Sequence, residues 1–239
     1  MDPHDLKTCL RQRLAHVEER IQAACVRSGR PRSAVTLVAV TKTVSAAAAA
    51  LLPELGVLDL GESRPQELWN KAPILLTTVR WHLVGHLQRN KIERTVPLVH
   101  LIHSVDSLRL LTALEQEARK RGRPVDVLLE VNASREANKH GFTPEELPSL
   151  EPQVAAMQYM RVRGLMTMAA FEEDPERCRP TFALLRELRD RLRGTLPEPH
   201  RLEHLSMGMT NDFEVAIAEG ATLVRIGTAL FEDFSETSS

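Results

Sequence analysis

Eight short apolar runs, rich in β-branched residues and separated by stretches of helical spacing, recur along most of the chain. They cover residues 35–40, 57–60, 81–84, 98–105, 125–131, 162–166, 204–207 and 223–226. Several are apolar at consecutive positions rather than alternate ones, the pattern of strands covered on both faces of a parallel sheet. Parallel neighbours need a long crossover, normally a helix. Helical candidates fall between the runs at 46–52, 65–70, 88–94, 107–121, 144–157, 180–192 and 212–219. Eight such units predict an α/β chain folded as a single (β/α)8 barrel of the TIM type, with residues 1–239 as one domain. An open doubly wound sheet is the rival, but no GxGxxG turn follows the first run. Ahead of the first run, Leu6, Leu10, Leu14, Val17, Ile21 and Ala24 recur at spacings of three and four, which predicts an extra N-terminal helix. Gly29 and Pro31 stand where that helix should stop.

Composition removes several function classes. The formal net charge is -1, without the basic stripe that a nucleic-acid surface needs. The N-terminus has no apolar core of a secretory signal, and the run at 46–52 is too short to cross a bilayer. A cytoplasmic protein with no membrane partner is expected. Cys9, Cys25 and Cys178 are widely spaced with no CxxC pair, so they read as reduced thiols rather than metal ligands. A monomer is the expected state.

Reacting groups in such barrels lie at the carboxyl ends of the strands. Of the six lysines, only Lys42 closes a buried run. Partial burial there would favour the neutral amine, the form that attacks a carbonyl to give a Schiff base. The seventh run ends in Ser206-Met207-Gly208-Met209-Thr210 and the eighth in Gly227-Thr228. Phosphate sites in these barrels are often built after strands seven and eight, so two small, hydroxylated ends suggest a phosphate cradle opposite the lysine. Arg225 should share the side of its strand with Gly227 and face the ligand. Ser63 at the end of the second run, His82 in the third and Met166 at the end of the sixth are further candidates to line the pocket. Residue pattern alone leaves any carbonyl phosphate open.

Several blocks then match a known family. They are VAVTKT at 38–43, GESRPQE at 61–67, WHLVGHLQRNK at 81–91, SVDS at 104–107, KHGF at 139–142 and GLMTM at 164–168. The longest is LSMGMTNDFEVAIAEGATLVRIGTALF at 205–231. In these the chain resembles the pyridoxal phosphate homeostasis proteins, small barrels similar to the barrel domain of alanine racemase. The resemblance implies pyridoxal 5′-phosphate joined to Lys42, phosphate contacts at Ser206, Met207, Gly227 and Thr228, and Arg225 at the pyridine nitrogen. The expected role is a non-catalytic one, storing the cofactor and delivering it to apoenzymes that depend on it. The chain departs from the family pattern at Ser63, where Asn is frequent, and at Glu232, where Gly is usual. Val44 stands where some members carry a second lysine.

Two enzymes remain as alternatives. A racemase-like enzyme needs a second acid/base group across the substrate, and the only tyrosine, Tyr159, precedes the sixth run. A Schiff-base aldolase would use the same barrel and lysine, but commonly with the lysine on a later strand.

Overall fold

The computed structural model describes residues 3–136 and 140–232, and in it eight parallel strands close into a barrel in sequence order. The strands are β1 (Thr36–Val40), β2 (Asp59–Glu62), β3 (Arg80–Leu83), β4 (Leu101–Val105), β5 (Val125–Glu130), β6 (Met160–Met166), β7 (His204–Ser206) and β8 (Leu223–Ile226). Each lies within about three residues of an apolar run, as the pattern predicts. Helices α1 (Pro3–Arg27), α2 (Pro65–Lys71), α3 (Leu108–Arg121), α4 (Arg179–Leu192), α5 (Phe213–Ala218) and α6 (Thr228–Phe231) form the main outer layer. Shorter helical turns complete that layer. The continuous helix expected over 144–157 is instead a 3-10 turn, Leu147–Leu150, followed by Glu151–Ala155. Pro148 and Pro152 lack the amides that a longer ladder requires. Lys139 of the KHGF block lies outside the described residues.

The alternation of side chains along the strands sorts two cores. Leu37, Ala39 and Leu60 face outward into the main core beneath the helices. Val38 faces inward and joins Leu101, Leu128, Met166 and Leu223 in a small apolar cluster inside the barrel. Closure brings β1 beside β8, with Val38 paired to Arg225 and Ala39 to Ile226.

The N-terminal helix has a definite structural task. Among the described residues, the segment after β8 forms only the four-residue α6, too short to cover the β8–β1 seam. Helix α1 packs against α5 and α6 and takes the place of the eighth outer helix. Its buried stripe is Leu10, Leu14, Val17, Ile21 and Ala24. Arg20 bonds Glu214 at 2.7 Å and lies 4.5 Å over the ring of Phe213. Arg13 also bonds the carbonyl of Glu232, so this departure from the family pattern sits against α1, after the last turn.

Behind β1 and β2 lies a buried ion pair. Lys71, at the end of α2, donates to Glu62 Oε1 at 2.7 Å and to the Thr41 carbonyl at 2.7 Å. Thr41 Oγ1 donates to the same carboxylate oxygen at 2.5 Å. The two ion-pair side chains are 4% and 0% exposed, which removes water as a substitute partner. The cluster fixes the backbone directly before Lys42. Lys71→Met leaves the carboxylate unpaired in a dry site, so unfolding in urea should show a loss of about 3–5 kcal/mol. Adding Glu62→Gln should restore much of that loss, because an amide needs no counter-charge there.

Candidate functional site

The two strands that matter most are neighbours. β1 leads through Thr41 to Lys42, and β8 leads through Gly227 to Thr228. A Cβ added at Gly227 would sit 3.3 Å from the Val40 carbonyl, so the two strand ends are in contact. The strand-eight residues expected to cradle a phosphate opposite the lysine therefore lie beside it, because barrel closure pairs the first strand with the last. Val38 and Val40 lie against the Gly61 position inside the barrel, and the same alternation carries Lys42 toward the mouth. Lys42 is exposed and has no hydrogen-bond or ion-pair partner among the described residues. The partial burial expected of it is not found. The buried lysine is Lys71, on the reverse side of the same turn.

The end of β8 offers donors. The backbone amides of Gly227 and Thr228 and the Thr228 hydroxyl have no acceptor among the described residues. Thr210 from the β7 loop accepts from the Ala229 amide at 3.2 Å and ties the two loops together. Gly208 makes the close turn after β7, with φ +92° and a notional Cβ only 2.6 Å from Ala216. No side chain fits there. The turn lets Gly208 accept from the Arg225 amide at 3.0 Å.

Two residues expected in the cradle are differently employed. Met207 turns its side chain outward into the helix-facing core, and its amide bonds the Leu223 carbonyl at 3.2 Å. It retains no free donor for an anion. Ser206 points its hydroxyl into the barrel, where it accepts from Arg225 Nη1 at 2.6 Å and lies 2.8 Å from His103 Nδ1. Met166 is fully buried in the inner apolar cluster and forms part of the floor. Ser63 is half-buried beyond β2, on the inward side by alternation from Gly61.

Arg225 is inside the barrel, 4% exposed. Its second terminal nitrogen donates to the Thr167 carbonyl at 2.9 Å. Burial pulls its pKa down to about 10, against the opposing charges of Asp212 and Glu130, so it is a cation at neutral pH. His82 stands deeper than a pocket-wall residue, with both nitrogens engaged. Its Nδ1 is 2.9 Å from His103 Nε2 and its Nε2 is 3.0 Å from Asp59 Oδ1.

Sequence reasoning missed His103, Asp59 and Glu130. A signal existed, since each is a polar residue within a run otherwise apolar enough to be buried. Glu130 closes β5, is buried, and has its carboxyl pushed up to about 7. Burial is the main cause and Asp106 adds to it, while Arg225 and His86 pull the other way. His86 Nδ1 bonds Asp106 at 2.8 Å and stacks on His140 with ring centres 5.1 Å apart.

Comparison with known proteins agrees with this architecture. The model of the alanine racemase N-terminal domain family matches residues 13–233. The pyridoxal phosphate homeostasis protein of Aquifex aeolicus is 43% identical over 221 residues, covering 92% of this chain and 96% of that protein. Its Escherichia coli K12 namesake is 36% identical, covering 93% of this chain and 97% of its own. The structure of PipY from Synechococcus elongatus with PLP bound superposes with a TM-score of 0.77 at 35% identity, covering 93% and 99% of the two chains. Alanine racemase of Clostridium difficile shares the fold, with a TM-score of 0.72 at 17% identity over 95% of this chain and 56% of that one.

The raised Glu130 carboxyl has a consequence for stability. Between the ordinary value of 4.5 and about 7, the folded chain holds a proton that the unfolded chain has released. Its contribution is therefore favourable at low pH and is lost as pH rises through 7. Glu130→Gln should be more stable than the native chain at pH 8, by on the order of 2–3 kcal/mol. That gain should shrink toward pH 4.5, and urea midpoints across the range measure it. A gain that does not vary with pH would show that Glu130 titrates normally.

Proposed function

This chain belongs to the pyridoxal phosphate homeostasis protein family, and we propose that it holds pyridoxal 5′-phosphate as a Schiff base on Lys42 and stores and delivers it within the cytoplasm. The observation that carries this reading is the meeting of a free amine and a set of free donors on adjacent strands, above one buried cation. Among the described residues, Lys42 has no partner to displace before it meets an aldehyde. The amides of Gly227 and Thr228 and the Thr228 hydroxyl suit a phosphate, which accepts and never donates when fully ionised. Arg225, held from below by Ser206 and Thr167, suits the ring nitrogen. Ser63 and Met166 would contribute wall and floor, and Met207 shape rather than donors.

Pyridoxal phosphate supplies an aldehyde that condenses with amines and a pyridine ring that draws electrons from what is attached to it. The chain's residues favour holding over turnover. A guanidinium at the ring nitrogen is a donor that keeps that atom unprotonated, and the unprotonated ring is the weaker electron sink. Tyr159 stands at the amino end of β6, where its carbonyl accepts from Val125, away from the strand ends that carry Lys42 and Thr228. Residues 1–239 would act as one monomeric domain, and the recipients would be apoenzymes that use the cofactor.

Purified protein supplied with pyridoxal phosphate should show imine absorbance, and borohydride should fix one pyridoxyl group to the peptide that contains Lys42. Lys42→Ala should lose that absorbance. Thr228→Val should weaken binding by about 1.5–3 kcal/mol, the worth of one hydrogen bond to a charged group. Unchanged absorbance in Lys42→Ala would remove the anchor. Amino-acid turnover that disappears in Lys42→Ala would replace the carrier by an enzyme.

A further inference from the structure

Branched apolar side chains ordinarily fill a barrel of this kind. Here a file of hydrogen bonds crosses the interior from β8 to β2. Arg225 Nη1 donates to Ser206 Oγ at 2.6 Å, and Ser206 Oγ lies 2.8 Å from His103 Nδ1. His103 Nε2 lies 2.9 Å from His82 Nδ1, and His82 Nε2 lies 3.0 Å from Asp59 Oδ1. All five residues are under 9% exposed, so water does not complete any of these bonds. At the far end Asp59 also pairs with Arg80, which is half-exposed at the amino end of the barrel.

The two ends dictate where each proton sits. A guanidinium only donates and a carboxylate only accepts. Burial alone would raise the Asp59 carboxyl, but hydrogen bonds from His82 and Arg80 prevail and hold it at about 2. His82 must therefore present Nε2–H to Asp59. With one proton on that ring, its Nδ1 is bare and accepts from His103 Nε2–H. His103 Nδ1 is then bare and accepts the Ser206 hydroxyl proton, which leaves the Ser206 lone pairs to Arg225. Every link has one proton and one acceptor. The reverse order fails at Asp59, where a nitrogen lone pair would face a carboxylate. A second proton on His82 would reverse the link to His103 and leave the Ser206 hydroxyl proton without an acceptor in the file.

We propose that Asp59, His82 and His103 are positioning residues for Arg225, through a one-way file Arg225→Ser206→His103→His82→Asp59 that locks the guanidinium in one orientation before a ligand arrives. The proposal rests on the reading of Arg225 as the residue at the ring nitrogen, and extends that site to the opposite end of the barrel. Loss of the Asp59 acceptor frees His82 to change tautomer. The change passes to His103 and to the Ser206 hydroxyl, which can then rotate away from the geometry that serves Arg225.

The test has one arm without ligand and one with it. Long-range 1H–15N correlation on the apo protein reads the tautomers directly. His82 and His103 should each carry a single proton, on Nε2, in the native chain and in Asp59→Asn, whose amide oxygen still accepts. Asp59→Ala should show mixed tautomers at both rings. A proton on Nδ1 of either ring in the native chain would overturn the file. In the second arm, pyridoxal 5′-phosphate labelled with 15N in its ring is titrated into native, Asp59→Ala, Asp59→Asn and Asp126→Ala proteins. Asp126 pairs with Arg161 at 2.5 Å, also near the amino ends of the strands, and lies outside the file, so its removal controls for stability alone. Asp59→Ala should weaken affinity roughly 2- to 30-fold and move the ring 15N shift, whereas Asp59→Asn and Asp126→Ala stay within about twofold of native. Equal effects of Asp59→Ala and Asp126→Ala would reduce the file to packing and overturn the proposal. Native protein that binds no pyridoxal phosphate, yet shows the expected tautomers, would sink the cofactor reading and leave the file standing.

Discussion

A positive charge buried inside a closed sheet sets the terms for the rest of this structure. Arg225 lies where most barrels place an aliphatic side chain, and a lone ion in such a place is costly by several kcal/mol. The surrounding residues answer that demand in two ways. Ser206 and the Thr167 carbonyl accept its terminal protons directly. Asp212 and Glu130 supply negative charge, which offsets part of the desolvation that draws its pKa down. Glu130 is affected in turn, since its own burial holds it part-protonated near neutral pH. The inner apolar cluster of Val38, Leu101, Leu128, Met166 and Leu223 fills what remains.

The proposed anchor, Lys42, follows a different physical rule from the one that strand-end burial suggests. Partial burial would have supplied a neutral amine from a desolvated lysine, but Lys42 is exposed. What the fold provides is position. Lys71 and Glu62 form their buried pair against Thr41, so the turn that carries Lys42 is tied from behind by a salt bridge and a backbone hydrogen bond. Sheet closure then sets β8 alongside, bringing the amides of Gly227 and Thr228, without acceptors among the described residues, to the same side of the mouth. Effective concentration is the lever that this arrangement offers.

The legibility of these features in the sequence follows from their range. Strands buried on both faces leave runs that one can count, and eight of them specify the barrel. Strand-end residues follow from the same count, which is why Lys42, Arg225, Gly227 and Thr228 could be named. Met207 could not be placed correctly, because a one-residue change of side sends a strand residue to the helices, and the sequence SMGMT does not reveal which side it takes. His82 was visible as a polar residue in an apolar run, but its partners His103 and Asp59 lie on other strands. Pairing of that kind depends on barrel register, which periodicity within one segment does not encode. The proline-broken helix after β5 was readable in principle, since Pro148 and Pro152 stand in plain view.

A buried polar file is a poor way to gain stability. Replacing buried ion pairs by well-packed apolar groups is often neutral or favourable, whereas removing one member leaves the others unsatisfied. Val or Leu at positions 82, 103 and 59 would give a barrel interior closer to the usual one. What such a core could not do is hold an arginine in one rotamer against its own flexibility, since apolar contact does not fix the direction of a planar fork of donors. Hydrogen bonds do, and a file with a cation at one end and an anion at the other has only one proton arrangement that satisfies it. With Arg225 at the ring nitrogen, as proposed, the interior is thus better explained by the need to aim that arginine than by the need to keep the barrel folded.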